Sequence, residues 1–127
     1  MSQQLLWLAL AGAIGTLARF GVGNLVTRGC GGEFPYGTLV VNLLGCFLFG
    51  LVVHLADHRQ WLRPEVKQVF LTGFMGAFTT FSTFAAESSH LLREAAWSTA
   101  AANVLLQNIG GIACVFLGLA AGRMLGI

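Results

Sequence analysis

The stretch Gly73-Phe74-Met75-Gly76-Ala77-Phe78-Thr79-Thr80-Phe81-Ser82-Thr83-Phe84 packs two glycines, four hydroxyl residues and four phenylalanines into twelve positions. It lies inside a hydrophobic segment. A plain membrane helix has no need of so many hydroxyls at its middle, and a soluble strand would not be flanked by apolar sequence on this scale. As one continuous helix, Phe70, Phe74, Phe78, Phe81 and Phe84 would draw an aromatic stripe, which is ordinary packing. Against that, Gly76, Thr79, Thr80, Ser82 and Thr83 all favour a bend or a break. Irregular backbone at membrane depth is tolerated only where it is buried in protein or lines a water-filled cavity. Broken helices near the midplane are where transporters place ion sites.

Composition supplies the setting. Hydrophobic residues make up 56% of the 127, charged residues 9%, and mean hydropathy is +0.76. Soluble domains carry about 25% charged residues, so this chain cannot cover a water-facing surface. A spanning helix takes about 20 apolar residues. The whole chain, residues 1–127, therefore reads as one all-α transmembrane domain with helices at about 4–26, 38–56, 66–92 and 97–124 and a break in the third. No room is left for a soluble catalytic module, so the chain is not read as an enzyme. Met1-Ser2-Gln3-Gln4 lacks the basic residues of a secretory n-region, and the apolar run continues past Leu8–Ala13, so the first helix reads as retained.

Other classes fall away on residue placement. The seven Lys and Arg are scattered without a basic-aromatic patch, which excludes nucleic acid. With the N-terminus inside, Arg59, Arg63, Lys67 and Arg123 lie on one side, and Arg19, Arg28 and Arg93 on or near the other. That balance does not fix one orientation, so charge counting predicts dual topology. Cys30, Cys46 and Cys114 are an odd set without CxxC spacing and read as small apolar residues. His54 and His58 have metal-compatible i,i+4 spacing, yet they sit at the interface and read as interfacial side chains. Trp61 and Trp97 fit an aromatic belt.

Three further features point to a polar path. Asn42 falls within the second helix, where a primary amide must face a partner helix or a polar route. Asn103, Gln107 and Gly111 are four apart and share a face of the fourth helix. Arg19, near the outer end of the first helix, reads either as snorkelling to the interface or as a positive charge at the mouth of an anion path. Hydroxyls at Thr80, Ser82 and Thr83 and the amide of Asn42 supply hydrogen-bond donors. Phe81 and Phe84 offer electropositive ring edges. Carboxylates are nearly absent, Glu87 alone lying close to the span. Such a lining favours a small anion whose hydration shell is replaced by donors.

At these residues the chain resembles the Fluc/CrcB family of fluoride channels. The resemblance runs through Gly12–Phe20, Gly37–Gly45 and, with most specificity, Gly73–Phe84 followed by Glu87. It implies a fluoride-selective channel allowing passive fluoride efflux across the cell membrane, the inner membrane in a Gram-negative source, and so reducing fluoride toxicity. It implies an antiparallel, dual-topology homodimer in lipid, with two fluoride pathways at the subunit interface. It also implies one structural sodium ion, Na+, on the two-fold axis, held by main-chain carbonyls that correspond to Gly76 and Thr79. The phenylalanine pair corresponds to Phe81 and Phe84 and the pore-lining asparagine to Asn42. Thr80 and Thr83 follow as lining, and Asn103 and Gln107 as the polar track. Two departures stand out: Ala77 where a second glycine is usual, and Asn103, Gln107 and Gly111 where an aromatic and serines are usual. The alternative is a small proton-coupled multidrug exporter, which needs a membrane-embedded glutamate in its first helix; none is present. A non-transporting assembly protein would leave Asn42 and the hydroxyl-rich break without a reason.

Overall fold

A computed structural model of the chain describes residues 2–59 and 63–125, and of residues 58 and 59 the backbone alone. Trp61 and the side chains of His58 and Arg59 therefore fall outside the described residues. Helix α1 spans Ser2–Cys30 and α2 spans Tyr36–Arg59. Helix α3, residues 64–78, joins Pro64–Gln68, a π-wound Val69–Met75 and Gly76–Phe78. Helix α4 is Phe81–Arg93, and α5 is Trp97–Met124 with a π-wound turn at Leu106–Gly110. Among the described residues, four segments are long and apolar enough to cross a membrane: Ser2–Cys30, Tyr36–Asp57, Pro64–Arg93 and Trp97–Met124. The protein is an all-α, multi-pass membrane protein whose third span is broken.

The helices meet through small residues. In lipid, association rests on close packing rather than on hydrophobic burial, and small side chains permit it. A Cβ added to Gly15 would run into the Phe74 carbonyl, and one added to Gly73 would lie 3.0 Å from Ala11 Cβ. This seats α1 on α3. Between α2 and the second half of α5 the same device recurs: Gly50 faces the Val115 carbonyl, Gly118 faces the Phe47 carbonyl, and a Cβ on Gly122 would lie 2.5 Å from the His54 ring. His54 is buried there.

The break lets the third span change partners. Its first half packs on α1, whereas α4 packs on the first half of α5. At the other end of the fold, Lys67 Nζ meets Asp57 Oδ1 at 2.6 Å and Gln4 Nε2 donates to Gln68 Oε1 at 2.8 Å, gathering α1, α2 and α3 at one membrane face. The short connections are set by cap chemistry. Gly31 and Gly32 take φ of 63° and 83° after α1, a left-handed exit that glycine makes cheaply. After α4 the same exit falls on Ala95 at φ 55°, with Ala96 N–H bonding Leu91 O at 2.9 Å and Ala95 N–H bonding Leu92 O at 3.2 Å.

Candidate functional site

Helical geometry persists through Gly76 and stops after Phe78. Thr79 (φ −84°, ψ 159°) and Thr80 (φ −148°, ψ 108°) are extended, and α4 restarts at Phe81. Thr80 is its N-cap: the side-chain oxygen accepts from Thr83 N–H at 3.2 Å and the hydroxyl donates to Thr83 Oγ1 at 2.9 Å. Threonine is a favoured N-cap because its short oxygen reaches a first-turn N–H. On the other side, Met75 O accepts both the N–H and the hydroxyl of Thr79, each at 3.0 Å.

Extension at Thr80 removes its N–H and C=O from any helical ladder, at a depth where no bulk water replaces the partner. Asn42 on α2 meets both. Thr80 N–H donates to Asn42 Oδ1 at 2.8 Å, and Asn42 Nδ2 donates to Thr80 O at 3.1 Å. The planar amide thus stands in for a strand neighbour. Its remaining N–H goes to Gln107 Oε1 on α5 at 3.0 Å. One amide ties three spans together at the break.

Two cavities flank Thr80, which lines both. The first, about 310 Å³, is bounded by Asn42, Gly76, Thr79, Phe81, Phe84 and Gln107, with Cys46 and Phe49 among its apolar walls. The second, about 400 Å³, is bounded by Arg19, Asn24, Thr38, Thr80 and Thr83 and is the more polar in its residues. Of the residues singled out from the sequence, Gly76, Thr79, Thr80, Phe81, Phe84, Asn42 and Gln107 meet around the first cavity, and Thr83 with Arg19 opens on the second. Asn103 lines neither; it is 0% exposed and donates to Ser88 Oγ on α4 at 3.0 Å. The two phenylalanines differ sharply: Phe84 is 8% exposed and Phe81 is 76% exposed, with ring centroids 5.4 Å apart and tilted by 59°. Phe70, Phe74 and Phe78 stack on one another at 5.3 and 5.9 Å.

Two neighbours were not singled out from sequence. Ser88 falls at i+8 from Thr80 and i+4 from Phe84, so helical period places it on the same face. Thr38 precedes Asn42 by one turn and donates to Glu87 Oε1 at 2.6 Å. Three buried atoms in this region lack a hydrogen-bond partner: Glu87 Oε2, Asn103 Oδ1 and Gln107 Nε2.

A four-span membrane protein with an interrupted helix, capped by threonine and stitched by an asparagine beside polar cavities, belongs to the class that carries small solutes or ions across the bilayer. The family described as CrcB-like protein, Camphor Resistance (CrcB), matches residues 6–119. The chain belongs to that family. It is 52% identical over 125 residues to the fluoride-specific ion channel FluC of Nitrosococcus oceani, covering 98% of this chain and 100% of that one. The FluC of Solidesulfovibrio magneticus is 53% identical over 125 residues with the same coverage, and that of Nitratidesulfovibrio vulgaris 48% over 122 residues, 96% of this chain and 98% of its own.

Proposed function

We infer that this chain is a fluoride-selective channel through which fluoride leaves the cell passively, limiting its toxicity. The observation that carries the reading is the break itself, where Thr79, Thr80, Phe81 and Phe84 line one cavity with Asn42 and Gln107, in a family whose curated relatives are named for fluoride. Fluoride is small and strongly hydrated, so a path must replace its water with donors arranged in advance. Phe81, Phe84, Asn42, Thr80, Thr83 and Gln107 are read as that path, through amide and hydroxyl groups and the positive edges of the rings; Asn103, expected there from the sequence, lines neither cavity because its amide is buried against Ser88. Transport, not bond-making chemistry, is the activity, and the plasma membrane is its place.

The conducting unit is read as an antiparallel pair of one four-helix domain, residues 1–127, held in lipid. Two observations support it. Phe81 is 76% exposed beside a cavity that the chain leaves open, and α1 buries only Gly15 while Leu17 and Phe20 stay exposed. The balanced Lys and Arg of the two faces permit both insertions. Gly76 and Thr79 are read as the carbonyl cradle for a structural sodium ion. In an unbroken helix the Gly76 carbonyl would receive the Thr80 N–H, which here goes to Asn42 instead. A bound sodium would lock the broken backbone of two copies together, since unwound carbonyls suit that ion and symmetry doubles the donor set. The test is fluoride release from liposomes loaded with fluoride and chloride, with and without a protonophore. Fluoride alone should leave, at a rate the protonophore does not diminish; equal release of both ions contradicts the reading.

A further inference from the structure

We propose that Cys46 and Cys114 form a two-coordinate site for a soft d10 cation, the mercuric ion, and that filling it stops passage through the first cavity. The site stands apart from the fluoride reading, on which only the flux part of its test rests. The two thiols are far apart in sequence and have no metal-binding spacing. The fold brings them to one level of one seam. Helix α2 and the second half of α5 run side by side in the same direction: Leu43 meets Gly110, Gly50 faces the Val115 carbonyl, and His54 meets Gly122. That register sets Cys46 level with the stretch between Gly110 and Val115. A Cβ added to Gly111 would lie 3.5 Å from Cys46 Sγ. Gly111, Cys114, Val115 and Gly118 fall at i, i+3, i+4 and i+7, which is one face of a helix. It is the face turned to α2, since Val115 and Gly118 meet the backbone there. Cys46 Sγ therefore rests over the turn that carries Cys114. The two thiols also lie within electrostatic reach of each other. Both are half-buried, whereas Cys30 is exposed.

Chemistry selects the ion. Zinc almost always takes four ligands and hard cations take several oxygens. Among the described residues no group of three or more His, Cys, Asp and Glu gathers. Two thiols alone suit a soft ion that is satisfied by a linear pair of sulfurs. Each thiol gives up its proton on binding a metal. A divalent mercuric ion and two thiols therefore yield a neutral bis-thiolate, and both protons leave to solvent. A univalent soft ion would leave a net negative charge in an apolar seam, which is costly. The route in is open, because Cys46 lines the first cavity beside Phe49, Thr79 and Phe81. A metal held in that wall narrows the cavity at the break and pins α2 to α5.

The experiment uses full-length protein in liposomes, with Cys30→Ser throughout so that the exposed thiol does not compete, and mercuric nitrate in chloride-free buffer. X-ray absorption at the mercury edge counts the sulfur neighbours of the bound metal. One mercury per chain with two sulfur neighbours is expected, and a single sulfur neighbour overturns the pair. This reading needs no change at either cysteine of the site. Adding Cys114→Ser, which nearly keeps the volume, should drop the count to one. Fluoride release should stop with mercury and return with a dithiol chelator. The Cys114→Ser protein should need about a hundredfold more mercury, since even an outer-shell partner is worth about 10–100-fold in metal affinity. Equal sensitivity assigns the metal to Cys46 alone and overturns the pair. Release at full rate with the metal bound by two sulfurs overturns the block. Protein that passes no fluoride before mercury is added contradicts the fluoride reading instead, and the sulfur count still decides the site.

Discussion

Asn42 makes three hydrogen bonds, two of them to the backbone of a residue 38 positions away. Replacing it with leucine keeps the volume and strands the N–H and C=O of Thr80 in an apolar surround. Each unmet group costs about 1–3 kcal/mol, so Asn42→Leu should unfold at a markedly lower temperature in detergent; an unchanged midpoint would show that the break does not depend on the amide. The two phenylalanines permit a cleaner separation of folding from flux. Phe84 is 8% exposed, so its truncation would cost about 3–5 kcal/mol, as cavity-forming substitutions do. Phe81 is 76% exposed, and exposed substitutions usually cost within about 0.5 kcal/mol. Phe81→Ile should therefore leave the protein folded while abolishing or strongly slowing fluoride release from liposomes. An unaltered rate would return Phe81 to the role of a packing residue.

At the scale of the element, the break shows what local chemistry can and cannot announce. The hydroxyl-rich run 79–83 was legible as an interruption because threonine and serine compete with the helix and favour caps. Its position, after Phe78 with Gly76 still helical, follows from Thr80 serving as the N-cap of α4. The amide partner of that break was less legible. Asn42 could be read as facing something polar, but its register against Thr80 depends on the close seat of Gly45 beside Thr79 and Phe78. The polar face of α5 proved to be shared between two neighbours, Asn103 turning to Ser88 and Gln107 to Asn42. The π-wound turns at Val69–Met75 and Leu106–Gly110 carry no local signal of this kind. Two predictions belong here. Ala95 holds a left-handed conformation at φ 55°, a strain of about 1–2 kcal/mol for a residue with a Cβ. Ala95→Gly relieves it at some entropic expense to the folded state, and should raise the thermal midpoint; a lower one contradicts the cap. Gly118→Val puts branched bulk against the Phe47 carbonyl, and should separate α2 from α5, seen as loss of the folded peak on size exclusion.

For the whole molecule, four apolar runs dictated four spans, because a helix is the segment that meets its own backbone hydrogen bonds in lipid. Which spans touch was another matter, since glycine contacts between helices are settled only by tertiary register. The exposed Phe81, the open cavity and the sparsely buried α1 support the proposal that a second copy completes the path. Exchanging sodium for N-methylglucamine should lower the thermal midpoint of that pair, a measure of the cradle assigned to Gly76 and Thr79; indifference to the cation would remove sodium from the account. Behind all of this stands one claim, that the donors gathered at the break pass fluoride and turn chloride away. The most direct measurement is the reversal potential across a planar bilayer with fluoride on one side and chloride on the other. Current should reverse far from zero, in the direction set by fluoride alone. A reversal near zero, or one displaced towards chloride, would contradict the account.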